Sequence, residues 1–346
     1  MAIQKYGLDL GTGTIKIYKE GQGLVLREKN MIAIRRKTEM VAFGDEAYAM
    51  YERAPENIRV YSPVKNGVIA GLHDMKILLD LFLKKVKCTN GFIRSNEFYF
   101  AVPCDITEVE KRAFFDLAMG SEFKSKDLYI VEKPVATAVG ESVDVLRTPG
   151  IMVIDFGADT VEISVLSLGG IVSSRLLKIG GNAMNEAICE AVKQKYNLLI
   201  GMKTAENLKL ELGSALNTVQ SFKKVLGRDL ISGLPAEVKV ESQVVCQPIQ
   251  ELLTQVVRTA KNLFEHTPPE VLSSILNLGI LITGEGSRLT NLEMYLEKQL
   301  DVPVIMSDVP EQSVVQGLGV IMSDAKLRKL AYSVKDCLLY TSPSPR

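Results

Sequence analysis

A chain of 346 residues with 47% hydrophobic content is long enough for two domains, each with its own core. Basic and acidic residues both number 41, so no overall field recruits nucleic acid, which is excluded as the expected partner. Five scattered cysteines without a Cys-x-x-Cys pair argue against a disulfide framework or a zinc centre, and two histidines, His73 and His266, leave little for a Ser-His-Asp hydrolase.

The first residues, Met1-Ala2-Ile3-Gln4-Lys5, run into a strand without an apolar signal region, and no apolar run approaches the roughly 20 residues of a membrane span. The expectation is a cytoplasmic chain. The first predicted element is a β-hairpin over 6–17, in which an apolar run ends at Asp9 and Gly11-Thr12-Gly13-Thr14 turns the chain. A helix is predicted over 74–86 and a strand over 98–102. Thr107-x-x-Glu110 reads as a capping box opening a helix to 119. A strand over 128–131 and a small-residue helix over 134–140 follow.

Residues 152–163 then repeat the opening pattern: an apolar run ends at Asp155, Gly157-Ala158-Asp159-Thr160 turns the chain, and a second strand begins. One such copy alone reads equally well as a plain hairpin with a glycine turn. Two copies in register predict two related α/β domains facing each other across a cleft. Beyond the second hairpin come a strand over 169–178, a helix over 182–196, a helix to 212 with Thr204 as its N-cap, a strand over 238–245 and a helix over 249–265. A buried-type strand over 278–283 leads into Gly284-Glu285-Gly286-Ser287-Arg288-Leu289 and a helix over 292–300, a nucleotide-binding arrangement.

Short glycine turns expose successive backbone N–H groups to anions, and glycine lets the backbone come close to a phosphate. The hydroxyls of Thr12, Thr14 and Thr160 can donate to phosphate, Lys16 adds positive charge, and Asp9 and Asp155 stand where carboxylates hold Mg²⁺ directly or through water. Glu206 and Lys209, at helical spacing, read by themselves as a surface ion pair.

The order of signals resembles the actin, sugar-kinase and heat-shock chaperone ATPases, and most closely the MreB-like bacterial actins. The segments carrying this are Pro63-Val64-Lys65-Asn66-Gly67-Val68-Ile69-Ala70, Ser167-Leu168-Gly169-Gly170-Ile171-Val172, Ile179-Gly180-Gly181, Lys195-Tyr196-Asn197-Leu198-Leu199-Ile200-Gly201, Thr204-Ala205-Glu206 and Thr267-Pro268-Pro269-Glu270. The resemblance implies an α/β, actin-like ATPase fold with ATP and Mg²⁺ in a central cleft. Domain I would span 1–147, with a small subdomain at about 31–66, and domain II 148–322, with one at about 181–242. A helix over 323–336 would return to domain I, and the tail 337–346 fits neither the family nor the preceding helix. Thr12, Gly13, Thr14, Gly157, Ala158, Asp159 and Thr160 would hold phosphates. Glu206 and Lys209 would lie along the nucleoside, which displaces the surface-pair reading, and Gly284, Glu285, Gly286, Ser287 and Arg288 would lie near the adenine.

Four positions depart from that pattern. Glu132-Lys133-Pro134 stands where Glu-Glu-Pro is usual, so the carboxylate expected to orient the attacking water is replaced by Lys133, leaving Glu132 as the catalytic candidate. Asp159 puts a carboxylate in a turn that is usually Gly-Gly-Gly-Thr, Asn182 replaces a frequent Asp, and Lys16 resembles the lysine of eukaryotic actin. These imply ATP binding with slow or absent hydrolysis. The resemblance further implies head-to-tail self-association into filaments that determine rod shape, at the inner face of the cell membrane, with membrane proteins of the cell-elongation machinery as partners. Phe92 and Ile93, near Lys84, Lys85 and Lys87, are the expected membrane-inserting pair. The rival readings are a non-polymerising pseudo-ATPase adaptor, favoured by Lys133 and Asp159, and a small-molecule kinase of the same fold, for which no substrate base is evident.

Overall fold

The computed structural model describes residues 2–36, 39–88, 94–123, 125–216 and 220–333. The chain divides into two units: one runs to residue 149 and includes 166–172 and the chain from 311 on, and the other comprises 150–165 and 173–310.

In the first unit the hairpin comprises strands Ala2–Leu10 and Thr14–Lys19, with Asp9 opposite Lys16 and Leu10 opposite Ile15. Gly23–Lys29 extends it on one side, while Arg94–Val102 and Ser125–Glu132 add parallel strands on the other. Parallel strands require crossovers, and helices Leu72–Lys85 and Glu108–Gly120 belong to these connections. The second of these helices carries the expected capping box: Glu110 N–H donates to Thr107 Oγ1 at 3.2 Å, and Thr107 N–H donates to the Glu110 carboxylate at 2.7 Å. Alternate residues of the hairpin, Tyr6, Leu8, Ile15 and Ile17, are fully buried together with Met75 and Leu78. A smaller sheet is formed by Ile32–Arg35, Glu39–Phe43 and Ile58–Tyr61.

Helices Lys133–Gly140 and Ser313–Ser323 cross backbone to backbone. A Cβ on Gly140 would collide with the Ser313 carbonyl, and one on Gly317 with the Ala136 carbonyl, so only glycine permits this approach.

The second unit repeats the plan. Its sheet orders the strands Gly170–Leu177, Val161–Ser167, Ile151–Phe156, Ile280–Thr283 and Val304–Met306. When the five main strands of each unit are numbered along the chain, both sheets read 3-2-1-4-5, with 1, 4 and 5 parallel in each. A small sheet of Leu198–Leu199, Phe222–Asp229 and Pro235–Glu241 lies between helices Gly181–Tyr196 and Ser242–Glu265 in the sequence.

Several local expectations change. The strand expected over 238–245 ends at Glu241, and the helix begins at Ser242 and runs through Pro248. Thr204 lies inside helix Met202–Leu212, whose N-cap is the extended Gly201. The helix expected over 323–336 is absent among the described residues. The preceding helix stops at Ser323, where the Asp324 carboxylate accepts the Lys326 N–H at 2.7 Å. A 3₁₀ turn at Leu327–Leu330 follows, and a short strand, Tyr332–Ser333, then pairs back onto Ser125–Glu132. Strand Phe222–Asp229 and helix Pro269–Leu278 were not anticipated. Phe92, Ile93 and the tail 337–346 lie outside the described residues.

Candidate functional site

Each unit places one glycine turn at the end of its first strand. In the first unit, a Cβ on Gly11 would meet the Thr14 carbonyl at 2.9 Å, so the turn closes only around glycine. The fully buried Asn30 clamps it from behind: its amide donates to the Gly11 carbonyl at 2.8 Å and its backbone N–H to the Gly13 carbonyl at 3.1 Å. Ser62 Oγ donates to the Thr12 carbonyl at 3.2 Å, and Gly67 N–H to Thr12 Oγ1 at 3.4 Å. Asn66 and Gly67 both have positive φ, +51° and +78°, as the tight turn between Val64–Lys65 and Val68–Ile69 requires. The Pro63–Ala70 motif therefore seats Thr12, and Asn30 and Ser62 are turn-holding residues that the sequence reading missed.

Asp9 and Lys16, paired across the hairpin, form a buried ion pair at 3.0 Å. Lys133 Nζ lies 4.0 Å from the other oxygen of Asp9. Burial alone would push the Asp9 carboxyl up, but the charges of Lys16 and Lys133 and the Lys16 hydrogen bond together hold it below the usual carboxylate range. Glu132 is placed differently. Burial pushes its carboxyl up, with only the charge of Lys111 acting against it. Adjacent in sequence, Glu132 and Lys133 thus have different charged neighbours.

In the second unit, the Gly157 N–H donates to the Thr160 carbonyl at 2.8 Å and closes the turn. The start of helix Gly181–Tyr196 is fastened onto that turn by backbone bonds: Gly180 N–H to Asp159 O at 3.0 Å, Gly181 N–H to Gly157 O at 3.0 Å, and Asn182 N–H to Ala158 O at 2.7 Å. A Cβ on Gly180 would lie 2.5–2.6 Å from turn backbone atoms, so this docking requires glycine. The two unusual residues meet here, the Asn182 amide donating to the Asp159 carboxylate at 2.7 Å.

Beside this turn lies a pocket. Phe156, Val161, Met184 and Leu289 supply apolar wall, while Lys209, Glu285 and Arg288 supply polar groups. Gly157, Gly180, Gly181 and Gly286 also line it, exposing backbone. An apolar recess with a few polar groups suits a small-molecule ligand. Lys209 Nζ donates to the Gly181 carbonyl at 2.9 Å, which ties helix Met202–Leu212 to the docked helix. Of the other expected site residues, Glu206 sits one turn before Lys209 and does not line the pocket. Ser287 is buried and donates to the Gly284 carbonyl at 2.8 Å, holding the 3₁₀ turn Glu285–Arg288. Gly284 has φ +83°, and a Cβ there would collide with Asp155 Oδ1. Ala158, Asp159 and Thr160 form the turn but do not line the pocket.

Near the expected membrane loop, Lys84 pairs with Glu122 at 2.8 Å and Lys85 with Glu28, so both cations have acidic partners. No helix among the described residues is long and apolar enough to cross a membrane.

The family model described as MreB/Mbl protein matches residues 3–330. The chain belongs to the MreB/Mbl family. It is 37% identical over 320 residues to cell shape-determining protein MreB of Escherichia coli, covering 90% of this chain and 91% of that protein. It is 34% identical over 326 residues to cell shape-determining protein Mbl of Bacillus cereus, covering 94% and 97%. Among solved structures, MreB 5 of Spiroplasma citri bound to AMPPNP superposes with a TM-score of 0.89 at 29% identity, covering 95% of this chain and 98% of that one. The MreB/Mbl chain thus has the actin-like α/β fold that the resemblance implies.

Proposed function

We propose that this MreB/Mbl chain binds ATP, hydrolyses it slowly, and assembles head to tail into filaments at the inner face of the membrane that set rod shape by organising cell-wall synthesis. The observation that carries the nucleotide reading is the second unit's pocket, in which an apolar recess adjoins the Gly157 turn and Lys209 and Arg288 stand at its polar side. The nucleoside would occupy this pocket, and the turns at 11–14 and 157–160 would be the phosphate-binding elements of their units. The AMPPNP-bound relative from Spiroplasma citri supports a nucleotide ligand. Filament formation and the membrane location rest on membership of a cell shape-determining family.

Slow hydrolysis follows from the residue before Pro134. An ammonium has no lone pair with which to accept a proton from water, and Lys133 is directed to Asp9. Phosphoryl transfer depends on an oriented water, so the lost carboxylate slows the step.

The test is sedimentation and electron microscopy of the chain with ATP and anionic liposomes while phosphate release is recorded. Membrane-bound filaments are expected, with phosphate release slower than in a Lys133→Glu variant. Nucleotide binding without polymer would refute the filament assignment, and rapid release by the unmodified chain would refute slow hydrolysis.

A further inference from the structure

Helix Glu108–Gly120 of the first unit lays one face on the core, burying Phe114, Leu117 and Ala118. Its outer face is not simply polar. Val109 is 79% exposed and Met119 71%, more than any other large apolar side chain of the first unit among the described residues. Arg112 and Asp116 stand outward between them, with side chains 72% and 54% exposed and a loose mutual contact of 3.9 Å. At 3.6 residues per turn, positions 109, 112, 116 and 119 fall on one stripe. The small, partly exposed Ala113 lies in its middle and leaves room for a close approach.

The stripe is a palindrome. Position 114 lies midway between Val109 and Met119, and also midway between Arg112 and Asp116. When the helix meets its own copy antiparallel about a dyad at that point, Val109 of one chain faces Met119 of the other and Arg112 faces Asp116, each contact occurring twice. That reciprocity is what an isologous interface requires. A parallel pairing would instead set Arg112 against Arg112 and Asp116 against Asp116. An anionic membrane gains nothing from this face, because its cation is matched by a carboxylate. The charge pattern therefore selects a second copy of this chain as the occupant.

We propose that helix Glu108–Gly120 is a lateral contact through which two copies of this chain pair antiparallel, joining one filament to the next. A stripe about 20 Å long is too short to bury the roughly 1,200 Å² of a stable interface, so single chains pair weakly. Chains linked in series repeat the contact and gain by multivalency, and in this respect the pairing rests on the filament reading given above.

The experiment oxidises full-length Val109→Cys and Met119→Cys chains, separately and mixed, in the presence of ATP while sedimentation records polymer. The unmodified chain measures the background from the native cysteines. In the antiparallel pairing positions 109 and 119 meet across chains, whereas like positions stay about 15 Å apart, beyond the reach of a disulfide. The mixture is expected to give covalent dimers at least about fivefold above either variant alone. Adding Arg112→Asp to both chains sets carboxylate against carboxylate and is expected to cut that yield about threefold, and adding Asp116→Arg as well is expected to restore it. All four positions are exposed, so these changes leave folding intact. Polymer without the mixed disulfide, or equal yields from mixed and separate chains, would overturn the lateral contact and leave the filament reading standing. The mixed disulfide without polymer would overturn the filament reading and leave the pairing, and the absence of both products would overturn both.

Discussion

The Asn182–Asp159 contact offers a test of how the second turn tolerates a carboxylate. Changing Asn182 to Asp removes the 2.7 Å bond to a charged acceptor and sets two carboxylates against each other. The lost bond is worth about 1.5–3 kcal/mol. Repulsion at roughly 4 Å adds about 1 kcal/mol under water-like screening and about 4 kcal/mol in a partly buried site. Both residues are half-buried, so we take a total of about 3 kcal/mol from the lower part of these ranges. For a unit of this size that lowers the melting temperature by about 6–12 °C. The assay is a circular-dichroism melt at pH 7 and again near pH 5, where a shared proton relieves part of the repulsion and narrows the gap to the unmodified chain. Exchanging the pair, with Asp159→Asn and Asn182→Asp together, should recover most of the loss. A single variant that melts within about 1 °C of the unmodified chain at pH 7 would refute the reasoning.

Three further outcomes are expected. Lys209→Ala removes the bond to the Gly181 carbonyl and a cation from the pocket, and should weaken ATP binding about ten- to hundredfold in a titration. Gly317→Ala drives a methyl into the Ala136 carbonyl where helices Lys133–Gly140 and Ser313–Ser323 cross; it should cost about 1–3 kcal/mol in denaturant unfolding. Asp9, whose carboxyl is held below its ordinary value of 3.8, contributes stability that is complete above that pH and lost as pH falls through the lower folded value. Asp9→Asn should therefore flatten the acid limb of the stability curve while costing about 3–5 kcal/mol at pH 7, because Lys16 loses its partner.

The two hairpins were legible because Asp, Gly and Thr recur at the same spacing after an apolar run, and the pairing of Asp9 with Lys16 follows from that register. The residues that hold the turns were not. Asn30 and Ser62 act from 19 and 50 positions away, a separation with no periodic signature. Strand Phe222–Asp229 went unseen because only Val225 is buried, so it has no apolar face to alternate. The start of helix Ser242–Glu265 was read as strand because Val238, Val240, Val244 and Val245 form a β-branched run across the boundary. The identity of Lys133 was plain from the sequence, but its approach to Asp9 depends on how the chain returns after strand Ser125–Glu132, which only the fold supplies.

The fastening of Gly180, Gly181 and Asn182 onto the second turn makes the turn and the 16-residue helix behind it a single lever. At about 1.5 Å per residue the arm is about 24 Å long, so a tilt of about 5° at the turn displaces its far end by about 2 Å. That end is Tyr196, whose hydroxyl accepts the Glu241 N–H at 3.2 Å, at the end of a strand of the small sheet. Because the coupling at the fulcrum is between backbone atoms, it is insensitive to side-chain change at every position except those where glycine is required for contact. A shift of a few tenths of an ångström at the turn is magnified where the lever meets the sheet.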